Sequence, residues 1–132
     1  MKYTATGSYK IVSWDETPTG EYGDGQKISR ARVENAYSGE MEGSGIVEYI
    51  MAYYSESEAE FTGVEYFEGR VGARSGRFML RHTGTYKAGG VTSAMKVVRG
   101  SGRGELEGFS GLIPFQGGHE TDYPVEFNYD LP

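Results

Sequence analysis

Turn-forming residues interrupt this chain at roughly every dozen positions, a spacing that suits strands and leaves no room for a capped amphipathic helix. The interruptions are DETPTGEYGDG (15–25), SGEMEG (38–43), SESE (55–58), KAGG (87–90), GSGRG (100–104) and QGGHETD (116–122). Each combines Gly, Pro, Asp, Asn or Ser types that favour turns and loops. Glycine makes up 21 of 132 residues without a collagen-like period, so the glycines are expected at turns, bulges and strand bends. With a further turn within RVGARSG (70–76), these breaks set off eight β-rich segments, at about 3–14, 27–38, 45–54, 59–70, 75–86, 91–99, 105–115 and 123–131. The best helical stretch, IVEYIMAYY (46–54), is short, rich in β-branched residues and tyrosine, and flanked by Gly45 and Ser55, which favours a strand there too.

Eight short strands in one domain covering residues 1–132 predict an all-β fold, an eight-stranded antiparallel β-barrel of lipocalin-like kind. Closure removes the exposed edges of an open sheet. A barrel of this size either fills with side chains or encloses one small ligand. FEGRVG (67–72) echoes LEGFSG (106–111), with a weaker echo in MEGSG (41–45), as repeated use of one bend device and not as a repeat architecture.

Composition excludes several classes. Cysteine is absent, which removes disulfide frameworks, zinc–thiolate sites and cysteine nucleophiles. A formal charge of −6 with acidic residues spread along the chain works against nucleic acid and anionic membrane. Arg70, Arg74, Arg77 and Arg81 form a local exception, read as a solvated strand face or as a patch for an anionic ligand. No apolar run has signal-peptide or membrane-spanning length, so a cytoplasmic protein with no membrane partner is expected. No cofactor motif stands out: GSGRGELEG lacks the following helix that a phosphate loop needs. His119, Glu120 and Asp122 share one loop with no second ligand cluster, so no metal is expected.

The most specific chemical signal is RFMLRHTGTY (77–86), which sets Phe78, Leu80, His82, Gly84 and Tyr86 on one side. A histidine on an apolar strand face points into a core or a cavity. On 59–70, Phe61, Gly63, Glu65 and Phe67 share a side, which turns Glu65 inward with the phenylalanines. A hairpin centred on SESE sets Glu48 opposite Glu65, and one centred near Ala73 and Arg74 sets Glu65 opposite His82. A slip of one residue in either hairpin would send a partner to the other face. Two opposed carboxylates beside an imidazole would titrate as a unit, suited either to acid–base chemistry or to a structural polar network. Glu65, His82 and Glu48 are therefore the candidate catalytic residues.

The same parity turns Ala5, Gly7, Tyr9 and Ile11 inward, with Val33, Tyr37, Met95, Val97, Val125, Phe127 and Tyr129. Tyr9, Tyr37, Phe61, Phe67, Phe78, Tyr86, Phe127 and Tyr129 are the candidate ligand-binding walls, and inward glycines at 7, 63 and 84 suggest hollow space. The loop at 15–25 would act as a lid or a plain connection. Strand 45–54 is apolar on both faces. Val47, Tyr49, Met51 and Tyr53 are assigned to the outside with Val64, Tyr66 and Met79, a patch that predicts a homo-oligomer.

YTATGSYKIVSWDE, YSGEMEG, VEYIMAYY, GVEYFEGRVGARSGRFMLRHTGTY, VVRGSGRGELEGFSG and YPVEFNYDL, in that order, resemble a bacterial family of uncharacterised single-domain proteins grouped with the allene oxide cyclase-like barrels. The resemblance covers nearly the whole chain and implies the same eight-stranded barrel. The wider group includes cofactor-independent cyclases and isomerases of hydrophobic substrates, but none of their catalytic motifs maps onto positions here. The expected function is binding of a small apolar or amphipathic molecule, with cofactor-free acid–base chemistry by Glu65 and His82. A non-catalytic carrier or sensor, or a filled structural oligomer, are the alternatives.

Overall fold

The computed structural model describes residues 2–118 and 121–132 and is built from strands. They are β1 (Lys2–Gly23), β2 (Gln26–Gly39), β3 (Met41–Ser55), β4 (Glu58–Val71), β5 (Arg74–Lys87), β6 (Gly90–Val97), β7 (Arg103–Gly104), β8 (Ser110–Gly117) and β9 (Tyr123–Asp130). Every pairing is antiparallel. Each long strand lies beside its neighbour in sequence, β6 continues to β8, and β9 returns to β1, so eight strands close into a barrel-like ring. The two-residue β7 sits beside the start of β5. Among the described residues no helix is long and apolar enough to cross a membrane.

Two boundaries differ from the sequence reading. Residues 15–25 are not a loop: the β1–β2 ladder runs out to Gly23↔Gln26, and only Asp24 and Gly25 turn, both at positive φ. β1 leaves β9 after Tyr9↔Tyr123, so beyond that point it is an edge strand. An edge tolerates Pro18 and the register shifts between Ile11 and Ser13, Pro18 and Gly20, and Glu21 and Gly23, which made the stretch read as turn. The segment expected as strand from 105 begins only at Ser110. After β7, residues 105–108 turn and carry Leu106 and Phe109 into the barrel floor, both buried.

The register of two hairpins decides what faces inside. Ser55 pairs with Glu58 as the SESE turn requires, but a bulge at Tyr54 then moves the ladder by one residue, to Tyr53↔Ala59. Glu48 therefore pairs with Val64 and turns outward, while Val47, Tyr49, Met51 and Tyr53 turn inward, reversing the expected faces of β3. Its outer apolar residues are Ile46, beside Tyr66 and Met79 of β4 and β5, and the exposed Ile50, beside Thr62. The next hairpin turns at Gly72 and Ala73, two positions off in pairing, so parity survives and Glu65 and His82 stay on the inner face.

The floor of the barrel is solid. A run of rings, Tyr37, Phe67, Phe78, Phe127, Tyr129 and Phe109, links neighbour to neighbour at centroid distances of 5.1 to 5.7 Å. Each buried ring of this kind contributes about 1.5–3 kcal/mol by removal from water. A smaller cluster of Ala31, Val33, Val47 and Met51, with Tyr49, Tyr53 and Phe61 packed on it, forms the wall nearer the end that carries the β1–β2, β3–β4 and β5–β6 turns, here the hairpin end.

Candidate functional site

His82 and Glu65 come from adjacent strands and sit two register positions apart on the inner face, where Gly63 pairs with His82 and Glu65 with Leu80. His82 Nε2 lies 2.7 Å from Glu65 Oε1, with the two side chains 1% and 0% exposed. The other imidazole nitrogen, Nδ1, lies 3.1 Å from the Tyr49 hydroxyl. Tyr49, Gly63 and His82 form one cross-strand row, and only a glycine in the middle lets the outer two meet. A Cβ at 63 would come within 2.8 Å of the Tyr49 ring.

The second carboxylate oxygen faces β2. Glu65 Oε2 accepts the Tyr37 hydroxyl at 2.7 Å and the Asn35 amide at 3.4 Å. To reach them the carboxylate lies over Gly45, where a Cβ would overlap it. Asn35 Oδ1 is buried with no hydrogen-bond partner among the described residues, an uncompensated cost beside the carboxylate. Burial, and after it the Glu65 charge, pushes the Tyr37 and Tyr49 hydroxyls well above the usual phenol range, so both remain O–H groups. Tyr9 is raised by the same two causes.

A cavity of about 300 Å³ lies between the two core clusters, toward the hairpin end of the barrel. Tyr49, Met51, Tyr53 and Phe61 form one wall; Tyr9, Met95, Phe115 and Tyr123 stand among the residues facing them. None of the residues lining it carries a charge. Half-exposed Ile11 and Trp14 form part of the rim, and Trp14 stacks on Tyr49 at 6.0 Å. Glu16 fixes this rim from behind by accepting bonds from Trp14 Nε1 at 3.0 Å, Ser29 at 2.7 Å and Tyr53 at 2.9 Å. That bond and burial raise the Tyr53 hydroxyl to about 12, burial being the larger cause.

Of the residues expected at the site, Glu65 and His82 meet, while Glu48 does not join them. It is on the outer face, paired with Arg32 at 3.0 Å, both more than half exposed. Tyr9, Phe61 and Tyr86 line the cavity. Tyr37, Phe67, Phe78, Phe127 and Tyr129 lie in or against the solid floor instead, because they sit on the far side of the Glu65–His82 level from the β1–β2, β3–β4 and β5–β6 turns. Nor do the inward glycines leave space: Tyr49 covers Gly63, Phe61 and Ser93 cover Gly84, and backbone of β2 covers Gly7. Sequence reasoning missed Tyr49, Met51 and Tyr53, which the bulge at Tyr54 reversed, and Trp14, which strict alternation from Tyr9 and Ile11 turns outward but the register shift between Ile11 and Ser13 brings to the cavity. His119 and Glu120 lie outside the described residues, and among the described residues no group of three potential metal ligands occurs.

Residues 5–129 match the family described as "Protein of unknown function (DUF3224)", and the chain belongs to that family. A crystal structure of a DUF3224 protein of unknown function from Shewanella oneidensis MR-1 superposes with a TM-score of 0.79. It is 24% identical, and the match covers 100% of this chain and 98% of that one, a likeness of fold. No curated protein matches the chain.

Proposed function

We propose that this DUF3224 chain binds a small, neutral and largely apolar molecule in the cavity at its hairpin end, and moves protons on it without a cofactor. The observation that carries the reading is the juxtaposition of an uncharged, aromatic-walled cavity with a buried His82–Glu65 pair, separated by Tyr49 alone in the cross-strand row. An ionised ligand would enter a site with no opposite charge to compensate its lost hydration. A hydrogen-bonded imidazole and carboxylate are the usual means of exchanging protons in such a setting. The resemblance to allene oxide cyclase-like barrels supports the same class, cofactor-free isomerisation or cyclisation. One observation favours a carrier or sensor as the second reading: His82 is not itself among the groups lining the cavity.

Trp14 is the one tryptophan of the chain and part of the cavity rim, so its fluorescence reports occupancy. Titration with a neutral apolar ketone such as 1-tetralone is expected to change that emission saturably in the native protein. A Met51→Trp/Trp14→Phe variant, which fills the cavity, is expected to lose competition for an apolar fluorescent probe. Equal probe binding by the filled and native proteins contradicts the reading.

A further inference from the structure

The cavity's polar side chains are mostly phenols, with Ser93 and the Trp14 indole beside them. Two of its hydroxyls have places that the packing does not explain. The Tyr49 ring is held edge-on to Phe61 and to His82, at 88° and 86°, which aims its oxygen at Nδ1 while the ring forms cavity wall. Tyr9 is only 7% exposed and is clamped by the rings of Tyr37, Phe115 and Tyr123 at 5.3 to 5.9 Å. Yet its hydroxyl has no hydrogen-bond partner among the described residues, and it is not enclosed by protein atoms as Asn35 Oδ1 is, so it reaches cavity space. Open to the cavity and without a partner among the described residues, this O–H is free to donate to a bound acceptor.

We propose that the occupant is a neutral carbonyl compound with an acidic neighbouring C–H, that Tyr49 is the catalytic residue that receives this proton, and that Tyr9 is the donor to the carbonyl oxygen. The inference rests on the cavity-binding reading above. In the step, the C–H bond breaks and its electron pair becomes a C=C bond as the carbonyl π pair moves onto oxygen, where the Tyr9 O–H stabilises the enolate. The released proton forms a new O–H bond on Tyr49 while the original Tyr49 proton passes to His82 Nδ1. His82 Nε2–H continues to donate to Glu65, whose carboxylate balances the imidazolium. Return of a proton to a different atom of the enolate completes an isomerisation, and no electrons enter or leave.

The test is deuterium exchange at the carbon beside the carbonyl of 1-tetralone in D2O, followed by proton NMR, with Trp14 fluorescence reporting binding. The native protein is expected to accelerate exchange by about a hundredfold over buffer. Tyr49→Phe is expected to bind the ketone with the native affinity and to exchange it at the buffer rate; Tyr9→Phe is expected to lose about tenfold of the acceleration and to weaken binding. Tyr49→Phe exchanging as fast as the native protein overturns the proposal. Saturable binding of 1-tetralone with exchange at the buffer rate overturns it too, and leaves the cavity reading standing. Absence of binding by the ketone and by apolar probes overturns both.

Discussion

Tyr49 and His82 touch across an intervening strand, 3.1 Å from phenol oxygen to Nδ1, because the β4 residue between them is Gly63. This contact is where the cavity wall meets the buried acid–base pair, so the glycine controls the site without belonging to it chemically. Alanine at 63 would overlap the Tyr49 ring and push the phenol off the imidazole. Gly63→Ala is expected to destabilise by about 1–3 kcal/mol. Gly90→Ala, where the nearest atoms lie 3.6 Å away, is expected to change stability by less than about 0.5 kcal/mol. Urea unfolding of the two variants checks the contrast.

Removing one member of the Glu65–His82 pair strands the other in the core. Glu65→Leu is expected to cost about 3–5 kcal/mol, whereas the double variant Glu65→Leu/His82→Leu is expected to recover most of that loss while losing all proton chemistry. Glu48→Gln on the outer face is expected to cost less than about 1 kcal/mol and to leave ligand chemistry intact, since its partner Arg32 is solvent-exposed. A double-mutant cycle read by urea unfolding separates these outcomes.

The buried tyrosines set the alkaline limit. Tyr9, Tyr37 and Tyr49 are raised above the ordinary value of 10.0, chiefly by burial and then by Glu65. A folded-state value above the unfolded one gives stability that is complete below pH 10 and is lost as pH rises beyond it. Ultraviolet titration is expected to show these phenols ionising together with loss of near-ultraviolet dichroism; ionisation of all eleven tyrosines in a fully folded chain would contradict it.

Glu40 works in the opposite direction. It accepts the backbone N–H and the hydroxyl of Thr6, at 2.8 and 2.9 Å, and those bonds lower its carboxyl below 4.5. Its contribution is therefore present at neutral pH and disappears as pH falls through the lowered value. The stability difference between the native chain and Glu40→Gln is expected to shrink between pH 7 and pH 3, as measured by urea unfolding at each.

The ring of strands was legible because strand periodicity and turn chemistry are local properties, and each of β1 to β6, β8 and β9 overlaps a segment that is alternating or β-rich in sequence. Register is not local. The single extra residue at Tyr54 reversed β3, which exchanged Glu48 for Tyr49 at the site, and nothing in SESE announces that bulge. Glu65 and His82 were paired correctly in face but not in position, because the turn lies at Gly72 and Ala73, an even displacement. The depth of each aromatic along the barrel was invisible for a different reason: parity tells inside from outside, whereas floor and cavity differ only in how neighbouring side chains fill the lumen.

The most direct test of coupling between cavity and buried pair is the imidazole nitrogen spectrum of the protein labelled with 15N-histidine, which contains only two histidines, recorded with and without 1-tetralone. Binding is expected to shift the Nδ1 resonance of His82 in the native protein and to leave it unmoved in Tyr49→Phe. A His82 resonance that ignores saturating ketone in the native protein, or that shifts equally in Tyr49→Phe, would contradict the path from cavity through Tyr49 to His82 and Glu65.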